Sequence, residues 1–203
     1  MREPELIYNP QGTSIGEISV EGPVQAIELE KMHLNKGLTS FRPPDRQIKA
    51  LIEIANLPEG MIYAARDGQE IIGYLTFHYP SKYSRWSKHP RVLELGGIEV
   101  SPGWRRKGVS SALLREAFAN PMVEDYIVVA IEFCWHWDLK GTELGLPGYR
   151  KMMIDTFKKV GLEKRATDDP DITEEAANIF AVRIGKNVSQ ADISLFESML
   201  FVH

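Results

Sequence analysis

The most constraining feature of this 203-residue sequence is a predicted strand that runs through a basic turn into a predicted helix. Residues 92–100 have strand character, and residues 109–119 carry apolar side chains at helical spacing. Three cations and a glycine lie just before that helix: Arg105, Arg106, Lys107 and Gly108. Backbone N–H groups at a helix N-terminus point outward into positive potential, so they bind phosphate groups. The six residues 105–110 taken alone are typical of an ordinary exposed basic turn. The strand before them and the helix after them favour a phosphate site.

The remaining pattern predicts one α+β (mixed α/β) domain over residues 1–203, built around a central sheet. Its core spans about residues 15–185, and a C-terminal helical extension covers about residues 189–203. An Asp-Gly pair at Asp67 predicts a hairpin. Strands are expected at 15–20, 61–65, 71–79, 92–100, 126–133, 162–167 and 178–184, and helices at 24–37, 45–56, 109–119, 149–160 and from 189.

Composition excludes several classes of protein. Lys and Arg number 24 against 28 Asp and Glu, and the resulting net charge of −4 disfavours a nucleic-acid partner. No apolar run approaches the roughly 18 residues of a membrane span, so no membrane partner is expected. The single cysteine, Cys134, allows neither an internal disulfide nor a cysteine-based zinc site. We therefore expect a cytoplasmic protein in a reducing compartment.

The basic turn resembles the acetyl-CoA loop of the GCN5-related N-acetyltransferase (GNAT) superfamily, Arg/Gln-x-x-Gly-x-Gly/Ala. Arg105, Gly108 and Ser110 occupy its three positions, with serine in place of the usual glycine or alanine. The resemblance covers residues 15–185 and implies the GNAT fold, with a mostly antiparallel sheet flanked by helices. It also implies acetyl-CoA as co-substrate. No metal is expected, because His136 and Asp138 have no matched partners at ligand spacing. The residues expected to contact acetyl-CoA are Ile98, Val100, Arg105, Arg106, Lys107, Gly108, Val109, Ser110, Ser111 and Phe157.

Acetyl transfer to an amine requires a base, because a lysine ammonium has an unperturbed pKa of ~10.4. Glu94 lies eleven residues before Arg105, which is the spacing of the catalytic glutamate in histone-acetylating GNAT enzymes. Glu99, on the opposite strand face, is the second candidate. A solvated or ion-paired strand residue is the alternative for both glutamates. Many members protonate the leaving thiolate with a tyrosine whose position here is Phe157, so Tyr149, Tyr126, water or no acid at all serves instead.

Aromatic residues are concentrated just after the predicted strand at 126–133. The resemblance places Trp135, His136, Trp137 and Asp138 beside the acceptor channel. A buried core cluster is an equal alternative for the two tryptophans. Nothing singles out Cys134 as an acylated nucleophile, so we expect direct transfer from acetyl-CoA to the amine.

Further motifs resemble a narrower family, the acetoin-utilisation acetyltransferases. That resemblance implies a protein-lysine acetyltransferase whose acceptor is the AMP-forming acetyl-CoA synthetase. Two alternatives stay open: a small-molecule amine N-acetyltransferase and a non-catalytic acyl-CoA-binding module. The motifs are 21–23, 38–44, 135–141, 149–151 and 183–190.

Overall fold

The computed structural model describes residues 6–8 and 14–202, and these form two compact units. The first unit contains the described residues up to His78 together with Gly97–Ala117. The second contains Tyr79–Gly96 and the described residues from Phe118 onward. The strand over Val92–Val100 contributes to both units. The single-domain boundary stays a prediction.

In the first unit the strands are ordered β3-β5-β6-β7, and β4 pairs with β6 in parallel. β5 and β6 form the predicted antiparallel hairpin, with Gly68 in the left-handed region at φ 58°. β1 and β2 pair with each other. The elements are β1 (Leu6–Tyr8), β2 (Ser14–Glu17), β3 (Ser19–Glu21), α1 (Ala26–Leu29), β4 (His33–Leu34), α2 (Pro44–Ala55), β5 (Met61–Asp67), β6 (Glu70–His78), β7 (Val92–Val100) and α3 (Val109–Phe118).

The core of this unit forms where α2 packs on the sheet. Pro44 opens α2, as proline does at a first helical turn, and the predicted apolar face buries Leu51 completely. Removing such a face from water stabilises the fold by roughly 25 cal/mol per Å² of apolar surface. The buried members of this core are Val24, Leu29, Leu34, Leu38, Leu51, Ile62, Ala64, Ile71 and Tyr74.

The helix predicted over residues 24–37 is wrong beyond its first turn. Only Ala26–Leu29 is helical, and His33–Leu34 is a strand. The backbone N–H of His33 donates to Gln69 O at 3.1 Å, and that of Asn35 donates to Ile71 O at 2.8 Å. Hydrogen bonds to β6 therefore satisfy the backbone N–H groups that hydrogen bonds within a helix would otherwise have satisfied.

In the second unit the strands are ordered β7-β8-β10-β9. β7 and β8 run parallel from the pair Val92–Ile127 to the pair Leu95–Ala130, and β10 is antiparallel to both of its neighbours. The remaining elements are β8 (Ile127–Glu132), α4 (Leu139–Thr142), α5 (Leu146–Lys158), β9 (Glu163–Lys164), α6 (Pro170–Thr173), β10 (Ile179–Ile184) and α7 (Gln190–Leu200).

The C-terminal helix contributes to the core of the second unit. Ser189 caps α7 as predicted, because its hydroxyl accepts the Asp192 N–H at 3.1 Å. Phe196 and Leu200 are buried in one cluster with Trp86, whose ring stacks on Phe180 at 4.6 Å between centroids. The predicted extension is thus packed against the sheet.

The predicted fold class is confirmed: the protein is a mixed α+β structure with a mostly antiparallel sheet and packed helices. No helix in the described part of the chain combines the length and apolar character that crossing a membrane requires.

Candidate active site

The turn between β7 and α3 has an unusual backbone. Arg106 has φ 61° and Gly108 has φ 81°, so both lie in the left-handed region. A residue other than glycine is uncommon there, and such conformations cluster at functional sites. The first hydrogen bond of α3 joins Ala112 N to Gly108 O at 2.9 Å. The N–H groups of residues 109–111 precede that bond and lie at the positive end of the helix dipole.

The three cations of this turn have different surroundings. Arg105 is half-buried, and its Nε donates to Val100 O at 3.1 Å, so it braces the turn. Arg106 is exposed. Lys107 Nζ lies 4.7 Å from the centre of the Trp104 ring, within the range of a cation–π contact. The turn therefore presents positive charge on a braced backbone.

Helix α3 begins very close to the sheet. Val109 is buried, and a Cβ on Gly73 of β6 would lie 3.3 Å from Val109 Cγ1 and 3.1 Å from Glu99 O. Only glycine at position 73 leaves room for this approach without displacing its neighbours. Ser110 and Ser111 are half-buried in the first turn of α3.

Strand β7 alternates in burial as its sequence predicts. Glu94, Gly96, Ile98 and Val100 are half-buried on one face, whereas Leu93, Leu95, Gly97 and Glu99 are buried on the other. The two candidate bases therefore lie on opposite faces, with Glu94 on the face of Ile98 and Val100.

Glu99 is buried and held by two donors. Its Oε1 accepts the Ser40 N–H at 2.8 Å, and its Oε2 accepts the Tyr74 hydroxyl at 2.7 Å. Burial, and then the neighbouring Glu99 carboxylate, raise the pKa of Tyr74 far above its usual range. The phenol therefore stays protonated and donates. In this arrangement Glu99 anchors the chain at Ser40.

The segment anchored by Glu99 also contacts the end of β7 at two other points. Ser101 Oγ donates to Asn35 Oδ1 at 2.6 Å. A Cβ on Gly97 would lie 3.2 Å from the edge of the Phe41 ring, so the ring rests on that glycine. The motif at 38–44 thus includes a partly exposed aromatic residue on the strand that precedes the basic turn.

The aromatic segment after β8 divides into exposed and buried residues. Trp135 is 55% exposed and stacks on Phe133 at 4.5 Å, and His136 is also exposed. Trp137 is 8% exposed and stacks on Tyr149 at 5.0 Å. Its indole Nε1 has no hydrogen-bond partner among the described residues.

Asp138 accepts the Gly141 N–H at 2.8 Å and so caps α4. Trp137 and Asp138 therefore hold the aromatic segment in place, while Trp135 and His136 face outward.

Neither tyrosine considered for protonating the leaving thiolate is fully exposed. Tyr126 is 8% exposed with its ring edge against Tyr79, and Tyr149 is half-buried. Phe157, at the position of the usual tyrosine, is 1% exposed in α5. The backbone N–H of Cys134 donates to Asn178 Oδ1 at 2.9 Å. Within residues 14–202 no cluster of three His, Cys, Asp or Glu side chains could hold a metal ion.

Glu132, the last residue of β8, was not identified from the sequence. It is half-buried, no hydrogen bond or ion pair among the described residues reaches its carboxylate, and burial raises its pKa to about 7. The pattern that could have indicated it is a single carboxylate within the otherwise apolar run of residues 126–133.

Comparison with known proteins identifies the family. The model of the acetyltransferase (GNAT) family matches residues 31–120. Over 193 residues the chain is 44% identical to the acetoin utilization protein AcuA of Bacillus subtilis strain 168, covering 94% of this chain and 92% of that protein. The chain belongs to the AcuA family of GNAT acetyltransferases. It is therefore an N-acetyltransferase, as predicted.

Solved structures agree with membership in the AcuA family. The crystal structure of an acetoin utilization protein from Exiguobacterium sibiricum matches with a TM-score of 0.90 and 42% identity, covering 93% of this chain and 90% of that one. A phosphinothricin acetyltransferase from Sinorhizobium meliloti, in complex with AcCoA, shares the fold with a TM-score of 0.51 and 17% identity over 83% of this chain and 89% of that one.

Proposed function

We propose that this protein transfers the acetyl group of acetyl-CoA to a lysine of another protein, the AMP-forming acetyl-CoA synthetase. Modification of a catalytic lysine would stop acetate activation, which fits a relative named for acetoin utilization. The observation that carries the proposal is the turn at 105–108, in which two left-handed residues and three cations precede the N-terminus of α3.

In this proposal the turn binds the diphosphate of acetyl-CoA. Arg106 and Lys107 supply countercharge, Gly108 lets the diphosphate approach the backbone, and the N–H groups of residues 109–111 donate to its oxygens. Arg105 keeps the turn in shape through its bond to Val100 O. The strand backbone at Ile98 and Val100 holds the pantetheine arm.

Glu94 accepts a proton from the attacking amine. Both oxygens of Glu99 already accept hydrogen bonds, so we assign that residue to positioning the segment at 38–44. Phe157 supplies no proton, and a thiol with a pKa near ~8.5 is acidic enough for CoA to leave as the thiolate.

The exposed residues of the aromatic segment suit a folded protein acceptor. Trp135 and His136 are exposed on the second unit, where a protein surface can reach them. Exposed aromatic rings are typical contact residues of protein–protein interfaces.

The direct test is incubation with acetyl-CoA and purified acetyl-CoA synthetase, followed by peptide mass mapping. We expect one lysine of the synthetase to gain an acetyl group. Glu94→Gln should slow the transfer at least about 100-fold, the range of general base catalysis. Glu163→Gln, on the exposed strand β9, is the control and should leave the rate unchanged.

Transfer only to small amines would instead favour the small-molecule enzyme. Binding of acetyl-CoA without transfer to any amine would favour the non-catalytic module.

A further inference from the structure

A groove on the surface of the second unit lies between helix α5 and the segment that leads into β10. Its volume is about 570 Å³, and every residue that lines it belongs to the second unit. Arg150 Nε on α5 donates to Ala177 O at 3.0 Å, so a hydrogen bond joins the two sides of the groove. We call this feature the α5 groove.

Much of the lining of the α5 groove is apolar. Leu146 is 42% exposed, although leucine is a residue that folding normally buries. Apolar side chains gathered in one exposed depression are typical of a surface that another protein covers. The apolar lining residues are Leu146, Pro147, Ile154, Ala176 and Ala177.

The α5 side of the groove carries excess positive charge. Arg150, Lys151 and Lys158, here called the basic rim, line the groove together with Asp155. Lys151 Nζ lies 2.5 Å from Asp155 Oδ2, and this hydrogen bond, followed by the charges of the neighbouring lysines, lowers the pKa of Asp155. Three cations and one carboxylate leave two excess positive charges, although the whole chain has a net charge of −4.

The opposite side of the groove carries negative charge. Glu174 and Glu175, here called the acidic rim, are exposed and directly precede the lining residues Ala176 and Ala177. No ion pair or hydrogen bond among the described residues reaches either carboxylate, or the ammonium of Lys158. The two rims therefore do not pair with each other within one chain.

Opposite charges on the two sides of one groove make this surface complementary to itself. In a dimer with two-fold symmetry both copies use the same surface, so that if residue i contacts residue j, then j also contacts i. A two-fold axis along the groove brings the basic rim of each copy against the acidic rim of the other. It also brings the two apolar linings together.

An acidic segment of an unrelated protein would fit the groove less well. It would be attracted by the basic rim, but it would also meet the like charge of Glu174 and Glu175, and like charges placed together disfavour binding. A second copy of this chain satisfies both rims at once.

We propose that this protein forms a two-fold symmetric dimer through the α5 groove, with the basic rim of each copy against the acidic rim of the other. This inference does not depend on the proposed acetyl transfer.

The first test is sedimentation velocity of the full-length protein. The wild type should sediment as a dimer at about 100 μM, a concentration at which an interface with a Kd of about 10 μM is mostly occupied. Lys151→Glu/Lys158→Glu and Glu174→Lys/Glu175→Lys should each raise the Kd at least about tenfold, because each places like charges together. Arg46→Glu/Lys49→Glu, an equal charge change at exposed positions of α2, should leave the dimer intact.

The second test mixes the two rim variants in equal amounts. Both rims of Lys151→Glu/Lys158→Glu are acidic, and both rims of Glu174→Lys/Glu175→Lys are basic, so each rim of one variant meets an opposite charge on the other. The mixture should therefore form a heterodimer, although each variant alone is weakened. Recovery of association also shows that both variants are folded.

Three results would overturn the inference. One is a wild type that stays monomeric, and another is a dimer that neither rim variant weakens, which would place the interface elsewhere. The third is a mixture in which the two variants do not associate. A monomeric wild type, combined with a higher KM for the acceptor protein in Lys151→Glu/Lys158→Glu, would assign the groove to an acidic segment of that acceptor instead.

Discussion

Glu99 and Glu132 are carboxylates in opposite surroundings. Glu99 is buried and accepts hydrogen bonds from Ser40 and Tyr74, whereas Glu132 is half-buried and has no such partner. The first arrangement fixes a segment of chain, whereas the second leaves the carboxylate without a hydrogen-bond donor among the described residues. Residue type alone therefore does not indicate the roles of these two glutamates. The hydrogen-bond donors around each carboxylate distinguish them.

The hydrogen bond from Tyr74 to Glu99 should contribute measurably to stability. Tyr74→Phe leaves a buried carboxylate oxygen without its donor, so the free energy of unfolding should fall by about 1–3 kcal/mol. Urea unfolding followed by circular dichroism measures the difference. Tyr83→Phe, at a side chain that is 87% exposed, is the control and should change stability by less than about 0.5 kcal/mol. Equal losses of stability in the two variants would contradict the anchoring role assigned to Glu99.

At the scale of elements, the region from β7 through the turn to α3 is built from short-range rules. Strand alternation orients Glu94, Ser101-Pro102-Gly103 ends the strand, and Gly108 supplies the left-handed residue before the helix. The opening of α3 therefore depends on a backbone conformation that glycine adopts readily.

Gly108→Ala should weaken acetyl-CoA binding through the backbone. The added Cβ would meet no atom within 4 Å, so the loss of stability, about 1–2 kcal/mol, comes from the left-handed φ alone. Acetyl-CoA affinity should also fall at least about tenfold, because the methyl group would lie where the proposed site receives the diphosphate.

Gly68→Ala is the matched control, since Gly68 has φ 58° and the same open surroundings in the β5–β6 hairpin. It should lose similar stability and keep its affinity, as measured by thermal unfolding and calorimetry. Parallel losses of affinity in both variants would mean that the turn has no special part in binding.

The sequence predicts elements well where the pattern is local. Helical spacing and Pro44 predict α2, and Ser189 with Asp192 predicts the start of α7. The segment around His33 fails because its backbone pairs with β6, and tertiary pairing overrides local helical propensity there.

At the scale of the whole molecule, the fold class and the AcuA family agree with what the sequence predicts. The turn that we propose binds phosphate is predictable because its parts are contiguous. The hydrogen bond by which Glu99 anchors Ser40 joins residues 59 positions apart, so no local sequence pattern reveals it. The isolation of Glu132 depends on what packs around β8 and β10, which sequence periodicity does not specify.

The central claim is that the turn at 105–108 binds the diphosphate of acetyl-CoA, and calorimetric titration with acetyl-CoA tests it most directly. The double variant Arg106→Glu/Lys107→Glu is compared with Arg46→Glu/Lys49→Glu, an equal charge change at exposed positions of α2. We expect the first to lose at least about 100-fold in affinity, since each of the two lost charge-assisted hydrogen bonds contributes about 1.5–3 kcal/mol, and the second to bind like the wild type. Equal affinities in all three proteins would contradict the account.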